Sequence, residues 1–182
     1  MKKILATLSA LALFISVNAQ EKKTDYWPNG NKKSEGIVLG TGKVDANASK
    51  TEQARQSANL TRDGKWSTWN ENGSMRSEEY YTNGAMTGSW KMWYEDGKLE
   101  SDINFTNGTV SYFYQNGNKH SQGGIKDGMV TTGKWTGYYE NGKINYEGSY
   151  NNDGQKDGTW TWYDENGKVT ATQVYQNGTL VK

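Results

Sequence analysis

Few residues in this sequence are equipped for chemistry, and most of them recur at a fixed interval. His120 is the single histidine and no cysteine is present. That removes thiolate nucleophiles, disulfide frameworks and thiolate metal sites. The counterparts of His120 in the repeated units are Arg76, Glu100, Asn145 and Thr170, so a Ser-His-Asp relay and a histidine-based metal set both lack parts. Carboxylates are numerous enough for a glycosidase pair. However, Glu71, Glu95, Glu140 and Glu165 occupy the same turn position in successive units, where pairing with the lysine after the turn (Lys98, Lys143, Lys168) explains them. The stretch "NNDGQKDG" (151–158) resembles a calcium loop in composition, yet it falls at a junction that needs two turns anyway. The expectation is a protein that is not an enzyme and has neither a metal nor a cofactor.

Aromatic side chains remain as the candidate chemistry. The chain holds 8 Trp, 12 Tyr and 3 Phe beside 22 Gly and a single Pro. Trp69, Trp93, Phe113, Tyr138 and Tyr163 stand at equivalent positions, one per unit. Rings in such a ladder, bordered by carboxylates, are suited to stacking on sugars, to cation–π capture of a cationic group, or to anchoring a protein interface. A sheet without a second layer also needs rings on both sides merely to exclude water, so the ladder has a structural reading beside the binding one.

The element that must carry these rings is a repeat. "GKWSTWNENG" (64–73), "GSWKMWYEDG" (88–97), "GKWTGYYENG" (133–142) and "GTWTWYDENG" (158–167) share a Gly-x-Trp opening and an Asn/Asp-Gly turn. "GTVSYFYQNG" (108–117) keeps the frame with Val110 in the tryptophan position. A second glycine turn follows each, at Gly84, Gly108, Gly128, Gly154 and Gly178. Asn-Gly between alternating aromatic runs is a strong hairpin signal, with both turn residues expected at positive φ. The prediction is an all-β chain, an elongated single-layer antiparallel meander of hairpins, with five repeats over 62–182. "YWPNGNKKSEG" (26–36) reads as a partial N-terminal copy within 20–61, followed by an insert (37–61) in which Ser49 and Glu52 form a capping-box pattern ahead of "QARQSANL"; the insert reads either as a short helix or as a mobile loop.

A two-residue turn at Asp96-Gly97 pairs Tyr94 with Leu99, Met92 with Ser101 and Trp90 with Ile103. Alternation then sends Trp66, Trp90, Val110, Trp135 and Trp160 to one side. Met75, Leu99, Ile144 and Val169 join them there, as do Tyr81, Phe105, Ile125, Tyr150 and Tyr175. The ladder faces the other way, in steps of roughly 9–10 Å, among Arg76, Glu78, Glu100, Asp102, His120, Gln122, Asn145 and Glu147.

At the N-terminus, Lys2 and Lys3 precede an apolar run from Ile4 to Val17 and the small residues Val17-Asn18-Ala19. This predicts a secretory leader spanning 1–19 and an exported, periplasmic or secreted, mature chain without a transmembrane segment. Loss of Lys2 and Lys3 leaves 19 basic residues against 20 acidic ones. That balance offers no basic patch for nucleic acid.

The Gly-x-Trp units with their Glu-Asn-Gly-Lys turns, followed by Glu-x-x-Tyr and a second glycine turn, resemble the MORN-repeat variant family over 62–182 and more weakly over 26–36. The resemblance implies a hairpin-repeat scaffold that works by contact with another macromolecule. Proteins of this kind are often labelled as antitoxin components of bacterial toxin–antitoxin modules, so an unidentified protein partner is expected. The units are also similar to the choline- and glucan-binding repeats of cell-wall proteins, which implies an envelope glycan as the alternative ligand of the ladder.

Overall fold

The computed structural model describes residues 20–40 and 60–182; the predicted leader and the Ser49–Glu52 helix lie outside them. The described residues form one open sheet of fourteen strands. These are β1 (Gln20–Tyr26), β2 (Lys32–Leu39), β3 (Thr61–Trp69), β4 (Met75–Thr82), β5 (Ala85–Met86), β6 (Ser89–Trp93) and β7 (Leu99–Asn104). They are followed by β8 (Thr109–Phe113), β9 (Lys119–Lys126), β10 (Val130–Tyr138), β11 (Ile144–Tyr150), β12 (Lys156–Tyr163), β13 (Val169–Gln176) and β14 (Thr179–Leu180). Every pairing is antiparallel and follows chain order, with the short β5 paired to β4 beside β6. Among the described residues no second layer covers either side of the sheet. The all-β meander of hairpins predicted from the repeat is the fold observed, and β1–β2 is a full hairpin at its head.

The hairpin turns are not the two-residue turns expected. At Gly97 the Gly97 N–H donates to the Tyr94 carbonyl and the Tyr94 N–H to the Lys98 carbonyl. Three residues therefore lie in the loop, and only the glycine has positive φ, +82°. This is a type I turn closed by a left-handed glycine, the three-residue hairpin solution. The turns at Gly30, Gly73, Gly117, Gly142 and Gly167 repeat it. Positive φ at both residues appears where β4 meets β5, at Asn83-Gly84, and where β13 meets β14, at Asn177-Gly178.

Each hairpin compensates with a bulge. Trp90 pairs with Ile103 and Met92 with Ser101, as predicted, but Trp93 then pairs with Leu99. The extra residue is Glu100, and Arg76, His120, Asn145 and Thr170 hold the same place in their hairpins. A bulge sets two successive residues on one side of the strand. Met75, Leu99, Ile144 and Val169 consequently face the ladder side, opposite Trp69, Trp93, Tyr138 and Tyr163, which corrects their predicted place in the core. Val169 is 50% exposed there. Arg76, Glu100 and His120 are turned the opposite way, toward the row of Tyr94 and Tyr114. His120 stands edge-on to Tyr114 at 4.8 Å, and Arg76 bonds Glu100.

The other face is dry although one layer thick, because its tryptophans lie flat across glycines. Trp160 is 1% exposed. Its ring covers Gly148, where an added Cβ would sit 2.2 Å from the indole. Tyr150 meets it edge-on at 5.0 Å, Tyr146 stacks at 5.9 Å, and the Lys156 ammonium lies 4.4 Å from its centroid. Trp66 over Gly36 and Trp135 over Gly123 repeat the arrangement. Their indole N–H groups donate to the carbonyls of Ile37 and Gly124, and that of Trp160 to Ser149. The row next to the tryptophans is filled by compensation of volume: Tyr112 faces Ser121 and Trp162 faces Ala171, whereas Gly137 faces Tyr146.

One seam departs from this pattern. In β4 the position of Gly148 is taken by Glu79, 8% exposed. It accepts hydrogen bonds from Ser77, Tyr81 and Arg62 at 2.6–2.9 Å. Burial, then the bond to Glu79, raises the Tyr81 phenol above its ordinary range, against the pull of Arg62. The next tryptophan, Trp90, stacks on Phe105 instead, and its buried indole N–H has no acceptor among the described residues.

Candidate binding face

The five ladder residues share one face, as the strand alternation predicts, and all five are half-buried. Trp90 and Trp93 project to opposite sides, three residues apart on one strand. On the ladder side, Glu78, Asp102, Gln122 and Glu147 pair with Ser67, Lys91, Ser111 and Thr136, the residues two before Trp69, Trp93, Phe113 and Tyr138. Lys65–Glu78 at 2.5 Å, Lys91–Asp102 at 3.8 Å and Lys134–Glu147 at 3.2 Å run across this surface. The hydrogen bond from Lys65 holds the Glu78 carboxyl below its ordinary range.

Each ladder residue is clamped from the preceding hairpin through its backbone. The Trp69 carbonyl accepts from the Trp27 indole at 3.0 Å and the Trp93 carbonyl from Arg76 at 2.8 Å. The carbonyls of Phe113, Tyr138 and Tyr163 accept from the hydroxyls of Tyr94, Tyr114 and Tyr139, all at 2.7 Å. Residues Tyr94, Tyr114 and Tyr139 directly follow Trp93, Phe113 and Tyr138 in sequence. That doublet was visible as a pattern, but the staple it forms was not anticipated. Asn70 occupies the same place after Trp69 and cannot reach so far; Arg76, from the bulge, substitutes for it. The clamps supply these partly buried carbonyls with side-chain donors.

The side chains of the ladder divide into two groups. The Tyr163 hydroxyl donates to Glu147 at 2.7 Å, and the Tyr138 hydroxyl accepts from Gln122 at 2.9 Å. The Tyr163 bond raises the phenol and, together with Lys134, lowers the Glu147 carboxyl. These two rings are tied to the sheet. Trp69, Trp93 and Phe113 make no side-chain hydrogen bond among the described residues. Trp69 has only the Lys32 ammonium 5.1 Å from its centroid, a cation–π contact.

Two shallow depressions flank the middle of the ladder. One is bounded by Ser111, Gln122, Lys134, Thr136, Tyr138 and Glu147; the other lies between Lys91, Asp102 and Phe113. The loop at 151–158 is closed by its own backbone: the Asn151 side chain accepts from the N–H groups of Asp153 and Gln155. Among the described residues no three His, Cys, Asp or Glu side chains stand together as a metal site, and no helix is long and apolar enough to cross a membrane.

A search of curated proteins gives no match. Among solved structures, a mutant of TarM from S. aureus, in complex with fondaparinux, alpha-GlcNAc-glycerol and UDP, aligns at 13% identity with a TM-score of 0.31. The alignment covers 65% of this chain and 21% of that one, too loose a superposition to establish a common fold. The model of the MORN repeat variant matches four times, at 62–83, 86–107, 131–152 and 156–180. These stretches make up half of the chain and coincide with the four Gly-x-Trp hairpins; the Val110 copy falls between them. With the glycine-seated tryptophans and the hairpin register in agreement, the chain belongs to the MORN repeat variant family.

Proposed function

We propose that this chain is an exported, non-enzymatic scaffold that binds a protein partner through the N-terminal half of the ladder, Trp69, Trp93 and Phe113. One observation carries the reading: these three rings are held by their backbones while their side chains remain without polar ties. A ring positioned in advance loses little entropy on binding, and tryptophans rimmed by paired charges have the composition of an interface anchor. Export rests on the leader pattern of residues 1–19, and the narrower antitoxin-like or immunity-like role rests on the family. If the partner is a toxin, export places it in the periplasm or outside the cell.

A photo-cross-linking amino acid at Ser67 or Ser111, both on the ladder side, tests this in the exported fraction. A discrete protein adduct that Trp93→Ala abolishes is the expected result. The second reading is an envelope polysaccharide, favoured by the depression beside Tyr138, whose hydroxyl, amide, ammonium and carboxylate groups match sugar hydroxyls. Retention on a glycan array that disappears in Trp93→Ala, with no protein adduct, would replace the first reading by the second.

A further inference from the structure

The chain contains eight Asn-Gly pairs, the dipeptide most open to spontaneous deamidation because glycine offers no side chain to hinder attack by its nitrogen. In most of them the carboxamide is restrained. The Asn29, Asn72, Asn116 and Asn141 side chains accept from the backbone N–H two residues on, all at 2.9 Å. Asn29 and Asn116 also donate across to the next hairpin, to the carbonyls of Glu71 and Glu140, and Asn141 donates to the Glu165 carboxylate. Asn107 accepts from Thr109, and Asn177 from Asn151.

Asn166 has lost both restraints for two separate reasons. The residue opening its turn is Asp164, where the preceding units have Tyr94, Tyr114 and Tyr139. The Asp164 carboxylate takes the Lys168 N–H, the donor that Asn166 would otherwise hold, and the Asn166 N–H as well, both at 2.9 Å. Among the described residues no strand pairs with β13 beside this turn to receive the carboxamide NH₂, since β14 covers only Tyr175 and Gln176. Asn83 also has a side chain without a hydrogen bond among the described residues. Its turn, however, is pinned from a neighbouring strand: Asn83 N–H donates to Asp63 and Gly84 N–H to the Arg62 carbonyl. Gly167 N–H is held only within its own turn, by the Asp164 carbonyl.

We infer that Asn166 is the site at which this protein modifies itself, by deamidation through a succinimide. The Gly167 nitrogen, losing its proton to solvent base, bonds to the Asn166 side-chain carbonyl carbon, and the carbon–nitrogen bond of the carboxamide breaks to release ammonia. Water then opens the imide at either carbonyl, giving aspartate or isoaspartate. No electrons are transferred. The product places a new carboxylate beside Asp164 and Glu165 and, as isoaspartate, adds a methylene to the backbone of the β12–β13 turn.

The test is incubation of the folded chain at mildly alkaline pH, followed by peptide mapping with isoaspartate detection. Asn166 should convert roughly tenfold or more faster than Asn116, which must first break two side-chain hydrogen bonds. Asp164→Tyr, which returns Lys168 N–H to Asn166, should slow conversion at Asn166 severalfold. In urea the Asn-Gly pairs should converge to similar rates, which locates the difference in the fold. Conversion at Asn166 no faster than at Asn116 and Asn141, conversion led by Asn83, or an unchanged rate in Asp164→Tyr would each overturn the inference.

Discussion

The two faces of this sheet are made by the same strands, residue by residue, and they solve opposite problems. On the tryptophan face Trp66, Trp135 and Trp160 each lie across a glycine of the neighbouring strand, so a single layer buries them as a two-layer core would. On the ladder face the rings stand half-exposed, their backbones clamped and their side chains tied at one end of the row and untied at the other. Burial on the first face is bought by deleting side chains. Order on the second comes from hydrogen bonds that leave the ring surface open. The difference teaches that aromatic content alone does not distinguish core from binding surface; the neighbour under the ring does.

This contrast breaks most severely at Trp160. Trp160→Ala removes the side chain packed by Tyr146, Tyr150, Trp162 and Lys156 and should cost about 3–5 kcal/mol in urea unfolding. Trp93→Ala should weaken partner binding by about 2 kcal/mol or more, while its unfolding midpoint moves far less than that of Trp160→Ala. An equal loss of stability in the two variants would erase the division between the faces. Gly123→Ala adds a Cβ 2.4 Å from the Trp135 ring and should destabilise by about 1–3 kcal/mol, with no effect on binding. Tyr139→Phe removes only the hydroxyl that caps the Tyr163 carbonyl and should cost about 1 kcal/mol.

The smallest effect sharpens the comparison within the ladder. Glu147 titrates below its ordinary range, through its bonds from Tyr163 and Lys134. Its contribution is therefore present above the unfolded carboxyl pKa and is lost as pH falls through the folded value. Tyr163 titrates above its ordinary range because of Glu147, so its contribution holds below the unfolded phenol pKa and fades as pH rises through the folded one. Denaturation midpoints followed across pH should show both losses, and Glu147→Gln should flatten the acidic one. Trp93→Ala should leave that profile unchanged.

Much of this architecture is legible in the residues themselves. The Gly-x-Trp interval and the Asn-Gly turns specify hairpins, and strand alternation places Trp90 and Trp93 on opposite sides without reference to coordinates. The bulge was not legible. Asn-Gly is compatible both with a two-residue turn and with a three-residue turn, and only the hydrogen bonds at Tyr94, Gly97 and Lys98 distinguish them. A one-residue difference in the turn moves Leu99, Ile144 and Val169 to the other face, because side-chain direction alternates at every residue. The buried Glu79 was equally hidden, since its partner Arg62 lies on the adjacent strand and its place in the repeat belongs to Gly123 and Gly148 in two other hairpins and to Ile103 and Gln173 in two more.

By itself, then, the sequence determined everything that depends on local periodicity: strand count per unit, the order of hairpins, and the side to which each ring of a given strand projects. The tertiary structure decided what depends on neighbours across strands. It set which tryptophan finds a glycine beneath it, which tyrosine hydroxyl reaches the next carbonyl, and which ladder rings remain untied. Periodicity is a property of one strand and can be counted along the chain, whereas a cross-strand contact needs the register, and here each register depends on a single bulged residue.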